Sequence, residues 1–203
     1  MKALPIPFTA PMVRALLEGR KTQTRRIIEP QPVLLPDKFW RLHGAAWSEG
    51  ISRVPVMPGH SLAKRAPYGQ DGDLLWVREA WVPQPNREGP GYLSDATWFP
   101  PEWAGRWESA IDMPREYSRL TLEITGVRVE RLQEISEADA IAEGAWSGLY
   151  DTPLAPDEIR PAFTMLWDFL YGEGSWDANP WVWVLEFNVH RMNVDAFLAG
   201  RAA

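Results

Sequence analysis

The residues with the most chemistry per unit length lie in Glu18-Gly19-Arg20-Lys21-Thr22-Gln23-Thr24-Arg25-Arg26, which holds four cations and two threonines. Two readings of this segment stand side by side. Cations just after a helix offset the negative end of its dipole, and polar side chains then mark an exposed edge strand. Alternatively, the cluster meets something anionic. Between Met12 and Ile28 there are five basic residues and one acid, a local balance of +4. The stretch from Glu102 to Arg160 carries 13 acids and six arginines. The chain of 203 residues has a net charge of -6, which argues against a protein that coats nucleic acid over its whole surface.

Other chemistries are removed by what the chain lacks. It has no cysteine, hence no disulfide framework, no thiol nucleophile and no Cys-ligated metal. That composition suits a reducing compartment, and a cytoplasmic location is the default expectation. His43, His60 and His190 share no metal-ligand spacing and are read as structural or surface residues, so neither a metal nor a cofactor is expected. No nucleophile elbow, P-loop or His-Glu-x-x-His occurs. Gly172-Glu173-Gly174 lacks the third glycine of a dinucleotide loop. No apolar run is long enough to span a membrane, and Met1-Lys2-Ala3-Leu4-Pro5 has no signal-peptide core.

The elements that must position the basic segment follow from periodicity. Thr9 is placed to cap a helix with Pro11 in its first turn; Met12, Val13, Leu16 and Leu17 form its apolar stripe, and Gly19 stops it. Leu74 to Val77 reads as a strand. Arg119 to Val129 alternates, with Leu120, Leu122 and Ile124 on one face and Thr121, Glu123 and Thr125 on the other. Ser136-Glu137-Ala138-Asp139 has the form of a capping box before a short helix that ends at Gly144. Asp157 is expected to cap a helix on which Ile159, Phe163, Leu166, Trp167 and Leu170 share a face. Trp181 to Val189 is apolar on nearly both faces, the mark of a central strand. This order predicts a single α+β domain over 1–203 with a curved or barrel-like sheet. Twelve of the 19 prolines fall between Pro30 and Pro114, and two Pro/Trp-rich stretches, about 29–68 and 83–117, read as insertions in that domain.

Pro11 to Arg26 resembles the opening of ASCH-domain proteins, particularly those of phages and prophages. Gly72-Asp73-Leu74-Leu75-Trp76-Val77-Arg78-Glu79 resembles a second signature of that family. Arg119 to Thr125 followed by Ile135 to Gly144 resembles a third, and Trp176 to Trp183 has the character of the phage branch. The resemblance implies a PUA-like β-barrel with flanking helices and relatives that bind RNA or act on modified nucleobases. One branch is similar to small amidohydrolases that deacylate N4-acetylcytidine and related nucleosides with a lysine, a threonine three residues later and a downstream strand glutamate. Carried over, these roles fall on Lys21, Thr24 and Glu123, with a small nucleoside or RNA as partner. The minimal domain is about half this length, so the insertions would cover, reshape or close its pocket.

That assignment makes chemical demands. A threonine hydroxyl attacks an amide only when a base removes its proton. A lysine is such a base only when burial or neighbouring cations depress its pKa; Arg20, Arg25 and Arg26 are candidates for the second effect. Glu123 would then carry a proton to the leaving nitrogen. In a regular strand, Lys21 and Thr24 point to opposite faces, so convergence requires a turn just after Gly19. The alternative leaves Thr24 as a hydrogen-bond donor and water as the nucleophile. Arg25, Arg26, Trp76 and Arg78 are the expected substrate-binding residues, Trp76 by stacking on a base. The competing expectation is a non-catalytic module that binds RNA or a modified base.

Overall fold

The computed structural model describes residues 1–34, 39–41, 53–55, 66–84, 89–96, 106–145 and 154–202. These residues form a mixed α+β fold built on a five-stranded sheet. In chain order come β1 (Ala3–Pro7), α1 (Ala10–Leu17), β2 (Gln23–Ile27), β3 (Val33–Leu34), β4 (Phe39–Arg41) and β5 (Arg53–Pro55). They are followed by β6 (Leu74–Arg78), β7 (Trp81–Val82), β8 (Gly91–Tyr92) and β9 (Thr121–Arg131). The chain ends with α2 (Glu137–Ala142), α3 (Pro156–Tyr171), β10 (Trp181–His190) and α4 (Val194–Ala202). No helix among the described residues is long and apolar enough to cross a membrane.

The sheet order is β1-β6-β9-β10-β2; β1 and β6 run parallel and the other neighbours antiparallel. Among the described residues it is open, with β1 and β2 at its edges, so a closed barrel is not formed by them. β10 lies between β9 and β2, as its two apolar faces require. The polar strand β2 takes an edge, where one row of backbone groups needs no sheet partner.

Different helices bury the two faces of the sheet, α1 one and α2, α3 and α4 the other. Ile6, Leu75, Leu122, Leu185 and Phe187 pack under α1 through Val13 and Leu16. Val182 and Val184 pack against Ala140 of α2 and Ile159, Phe163 and Trp167 of α3. Leu74 and Trp76 meet Val194 of α4. Burying each such aliphatic side chain contributes roughly 1.5–3 kcal/mol, which locates the main stability in these layers.

Helix ends agree with local chemistry in part. Ser136 and Asp139 form the expected capping box: Ser136 Oγ accepts from the Asp139 amide at 3.1 Å. Thr9 is the N-cap of α1, yet its side chain makes no capping bond. α3 begins one residue before Asp157, at Pro156, because proline is already set for the first helical turn.

The two Pro/Trp-rich stretches carry small sheets of their own. β3, β4 and β5 form a three-stranded antiparallel sheet, and β7 pairs with β8 at the start of the second stretch. That second stretch is tied to the core by Glu79 at the end of β6. The buried Glu79 carboxylate accepts from Ser94 Oγ and from Arg119, whose Nε stands 2.9 Å away. His43, His60, Trp47, Trp98 and Trp103, with the side chain of Trp40, lie outside the described residues.

Candidate functional site

The path from α1 into β2 explains how a lysine is carried into the interior. α1 ends at a turn where Gly19 has φ +76°, a left-handed conformation that glycine adopts without Cβ strain. The Arg20 and Lys21 amides then both donate to Ala15 O, at 2.9 and 3.0 Å. β2 starts only at Gln23, so strand alternation does not govern Lys21. The turn required after Gly19 is present.

Lys21 is 0 % exposed. Its Nζ donates to the carbonyl oxygen of Glu143 at 2.7 Å and to Glu143 Oε2 at 2.9 Å. The Phe8 ring centroid lies 5.6 Å from the same nitrogen. Burial pushes the Lys21 pKa below its ordinary 10.5; the charge and hydrogen bond of Glu143 oppose that shift, and Arg26 and Arg25 add to it.

Glu143 is the C-cap of α2, followed by Gly144 at φ +84°. A Cβ on Gly144 would come within 3.1 Å of Ala15 Cβ and 3.4 Å of Lys21 Cβ, so this glycine allows α2 to end against the Lys21 stem. The other carboxylate oxygen of Glu143 accepts from Arg25 Nη1 at 3.1 Å. Glu143 therefore sits between two cations, one on each oxygen.

Thr24, Arg25, Arg26 and Glu143 line one cavity of about 330 Å³. Its remaining walls come from Phe8, Thr9 and Met12 near α1, Ser109 to Ile111 of the second insertion, and α3. Thr24, on edge strand β2, is buried and pairs with Leu185. Of the three expected reacting residues, Thr24 lines this cavity directly, while Lys21 lies behind its wall, bonded to the Glu143 that lines it.

The third is elsewhere. Glu123 is bound by Arg201 Nη1 at 2.8 Å and His190 Nε2 at 3.2 Å, on the α4 side of the sheet. Burial acts to raise its pKa, but those hydrogen bonds outweigh it and hold the carboxyl below its ordinary value. The alternation of β9 correctly turns Glu123 away from Leu122 and Ile124, but that face leads to α4. Glu143 takes the place expected of Glu123 beside Lys21. The one local signal for it is weak: an acid at a helix C-terminus opposes the dipole, but its partners lie more than a hundred positions away.

The expected substrate-binding residues divide. Arg26 lines the cavity, held by a 2.7 Å bond from Nη2 to Pro7 O and stacked 5.1 Å from the Phe8 ring centroid. The Arg25 side chain is fully buried, and besides Glu143 it binds Glu130 through Nε at 3.0 Å and approaches Asp139 at 3.5 Å. Its charge is spent inside the protein, so it is not a phosphate contact. Trp76 is buried beneath α4 with the Arg78 guanidinium 4.5 Å from its ring centroid, so it is a core residue rather than a base platform. Arg78 donates to Ile111 O at 2.7 Å and braces a cavity wall from behind.

Among the described residues, no group of three or more His, Asp or Glu side chains is arranged to hold a metal ion. No family model, curated protein or solved structure matches this chain.

Proposed function

We propose that this protein is an ASCH-type amidohydrolase that removes the acyl group from N4-acylated cytidine or a similar nucleoside amide. The reading takes the five-stranded sheet as the PUA-like core, with β3–β5 and β7–β8 as additions to it. The observation that carries it is Lys21, a fully buried amine hydrogen-bonded to a carboxylate beside a cavity that Thr24 lines.

The chemistry follows from burial. An apolar environment disfavours the ammonium form, so a neutral Lys21 is accessible as a base. Lys21 Nζ accepts the Thr24 Oγ proton while Oγ bonds to the acyl carbon. Collapse of that adduct breaks the bond from carbon to N4, and N4 receives the proton passed from Lys21 through Glu143. Water then attacks the acyl-threonine, gives its proton to Lys21, and the Thr24 hydroxyl is restored. In the alternative route, water attacks directly and Thr24 only donates a hydrogen bond. The routes differ in whether an acyl-threonine forms, which mass spectrometry of quenched enzyme detects.

The test is incubation of the purified protein with N4-acetylcytidine, with cytidine release followed by chromatography. Release by the wild type and its loss in Lys21→Ala are expected. No release, or undiminished release by the variant, rejects the reading. Binding of RNA or nucleoside without release would instead support a binding module, a role that the internal pairing of Arg25 disfavours for phosphate contacts.

A further inference from the structure

In the proposed reaction Glu143 passes a proton from Lys21 to N4, which requires its two oxygens to stay in place. The last torsion of a glutamate is broad, so the side chain does not fix the plane of its own carboxylate. Two donors do: Oε2 accepts from Lys21 Nζ at 2.9 Å, and Oε1 accepts from Arg25 Nη1 at 3.1 Å. The route through Lys21, Glu143 and Thr24 does not otherwise use Arg25.

Arg25 is itself fixed from outside. It pairs with Val184 of β10, which packs against α2 and α3, so strand alternation turns its side chain toward α2. That side chain is 0 % exposed. Its Nε donates to Glu130 Oε1 of β9 at 3.0 Å, Nη2 binds the same oxygen, and Nη2 stands 3.5 Å from Asp139 Oδ2 of α2. Arg128 of β9 braces both acids from the far side, with Nε 3.0 Å from Glu130 Oε2 and Nη2 2.9 Å from Asp139 Oδ1. Arg128 in turn binds Glu186 of β10, which is 49 % exposed. The outer pairs are screened by water and the inner ones are not. Because Arg128 already partners both Glu130 and Asp139, the contact that Arg25 adds to this cluster is the one to Glu143. A planar guanidinium can hold Glu143 with one nitrogen and Glu130 with two others, whereas an ammonium has a single nitrogen.

We propose that Arg25 is a positioning residue: its guanidinium, anchored on Glu130 and Asp139, clamps Glu143 Oε1 so that Oε2 stays on Lys21 Nζ. The proposal rests on the reading of Lys21 and Glu143 as the reacting pair. Arg25 then serves the reaction without touching the substrate. Its charge acts in the same direction as its geometry. The charged groups that face Lys21 are Glu143 at the end of α2 and Arg25 and Arg26 of β2, with the uncharged Phe8 ring after β1. Glu143 favours the ammonium form of Lys21, and the two arginines disfavour it.

The experiment compares the full-length wild type with Arg25→Lys and Arg25→Gln, in N4-acetylcytidine turnover across pH and in the Lys21 side-chain 15N titration. Arg25→Lys keeps a cation but cannot grip two acids at once. Its kcat is expected to fall about tenfold or more with KM unchanged, the worth of a hydrogen bond to a charged group. Arg25→Gln removes the cation, so Lys21 keeps its proton to higher pH. The acidic limb of kcat, which follows loss of that proton, and the Lys21 titration are both expected to move up, opposite to the shift in Glu143→Gln. If Arg25→Gln fails to fold, the double variant Arg25→Gln with Glu130→Gln removes an acid along with the cation and is read in the same way. A merely structural Arg25 would lower the melting temperature and leave the limb and the Lys21 titration in place. That result overturns the proposal, as does undiminished kcat in Arg25→Lys; in both cases cytidine release by the wild type keeps the hydrolase reading. If the wild type releases no cytidine while the Lys21 titration moves up in Arg25→Gln, Arg25 still sets the Lys21–Glu143 pair and the hydrolase reading fails. No release and no movement overturns both.

Discussion

Glu143 and Glu123 each accept hydrogen bonds from two nitrogen-bearing side chains, but Glu143 is 4 % exposed between Lys21 and Arg25, whereas the Glu123 side chain is 20 % exposed between Arg201 and His190. The difference lies in the solvent. Around Glu123, water screens the charges, and such pairs contribute about 0–1 kcal/mol. Around Glu143 the charges lose hydration, and proton affinity becomes a property of the fold. That is how a buried amine has its pKa pushed down while an arginine at the surface stays a counter-ion. Two acids of one type on neighbouring elements are thus given a buried and a partly exposed ion-pair environment by what covers them.

The comparison breaks most readily by exchanging the carboxylates. Glu143→Gln is expected to lower cytidine release by about 100-fold or more, the usual worth of a positioned acid or base. Glu123→Gln is expected to change it by less than about twofold, as for substitutions away from a site. Equal losses in the two variants would erase the distinction. Thr24 sharpens it further: Thr24→Val is expected to lose about 100-fold while Thr24→Ser stays active, if a hydroxyl attacks. Retained turnover in Thr24→Val would move the nucleophile to water.

A smaller effect is expected from Gly144→Ala. An L side chain at φ +84° against Ala15 and Lys21 should cost about 1–2 kcal/mol in urea unfolding. No change in the midpoint would show that α2 need not end there to hold Glu143.

The pH responses are the subtlest contrast. Because the folded pKa of Lys21 lies below 10.5, the unfolded chain holds that proton more tightly between the two values. Burial of Lys21 therefore costs stability at lower pH, and the cost fades as pH rises toward 10.5. Glu143 raises the Lys21 pKa, so Glu143→Gln should lower it further, read from the Lys21 side-chain 15N shift. An upward shift would contradict the pairing. Glu123 has the opposite sign: its lowered pKa supplies stability above the ordinary carboxylate value, lost as pH falls through the folded value. Added salt should diminish that contribution and leave the Lys21 shift nearly untouched, since only the exposed pair is well screened.

Much of this arrangement is legible in residue order. The α1 stripe, the Gly19 stop, the alternation of β9, the Ser136 capping box and the two-faced β10 depend on neighbours within a few positions, where propensity and periodicity act. Glu143 is not legible in that way. It follows an ordinary short helix, and its partners Lys21 and Arg25 lie 122 and 118 positions earlier. Trp76 shows the reverse error, an aromatic on a signature strand whose face is covered by a helix from the far end of the chain.

By itself, then, the sequence determined most of the core elements, the edge position of a polar strand, and a lysine set just after a helix stop, three residues ahead of a threonine. Local sterics and hydrogen bonding suffice for each of these. Only the tertiary structure decided that Lys21 is buried, which glutamate meets it, that Arg25 is spent inside the protein, and that Trp76 is covered by a helix. Charge and hydrogen-bond partners are chosen by proximity in space, and burial sets what each contact is worth.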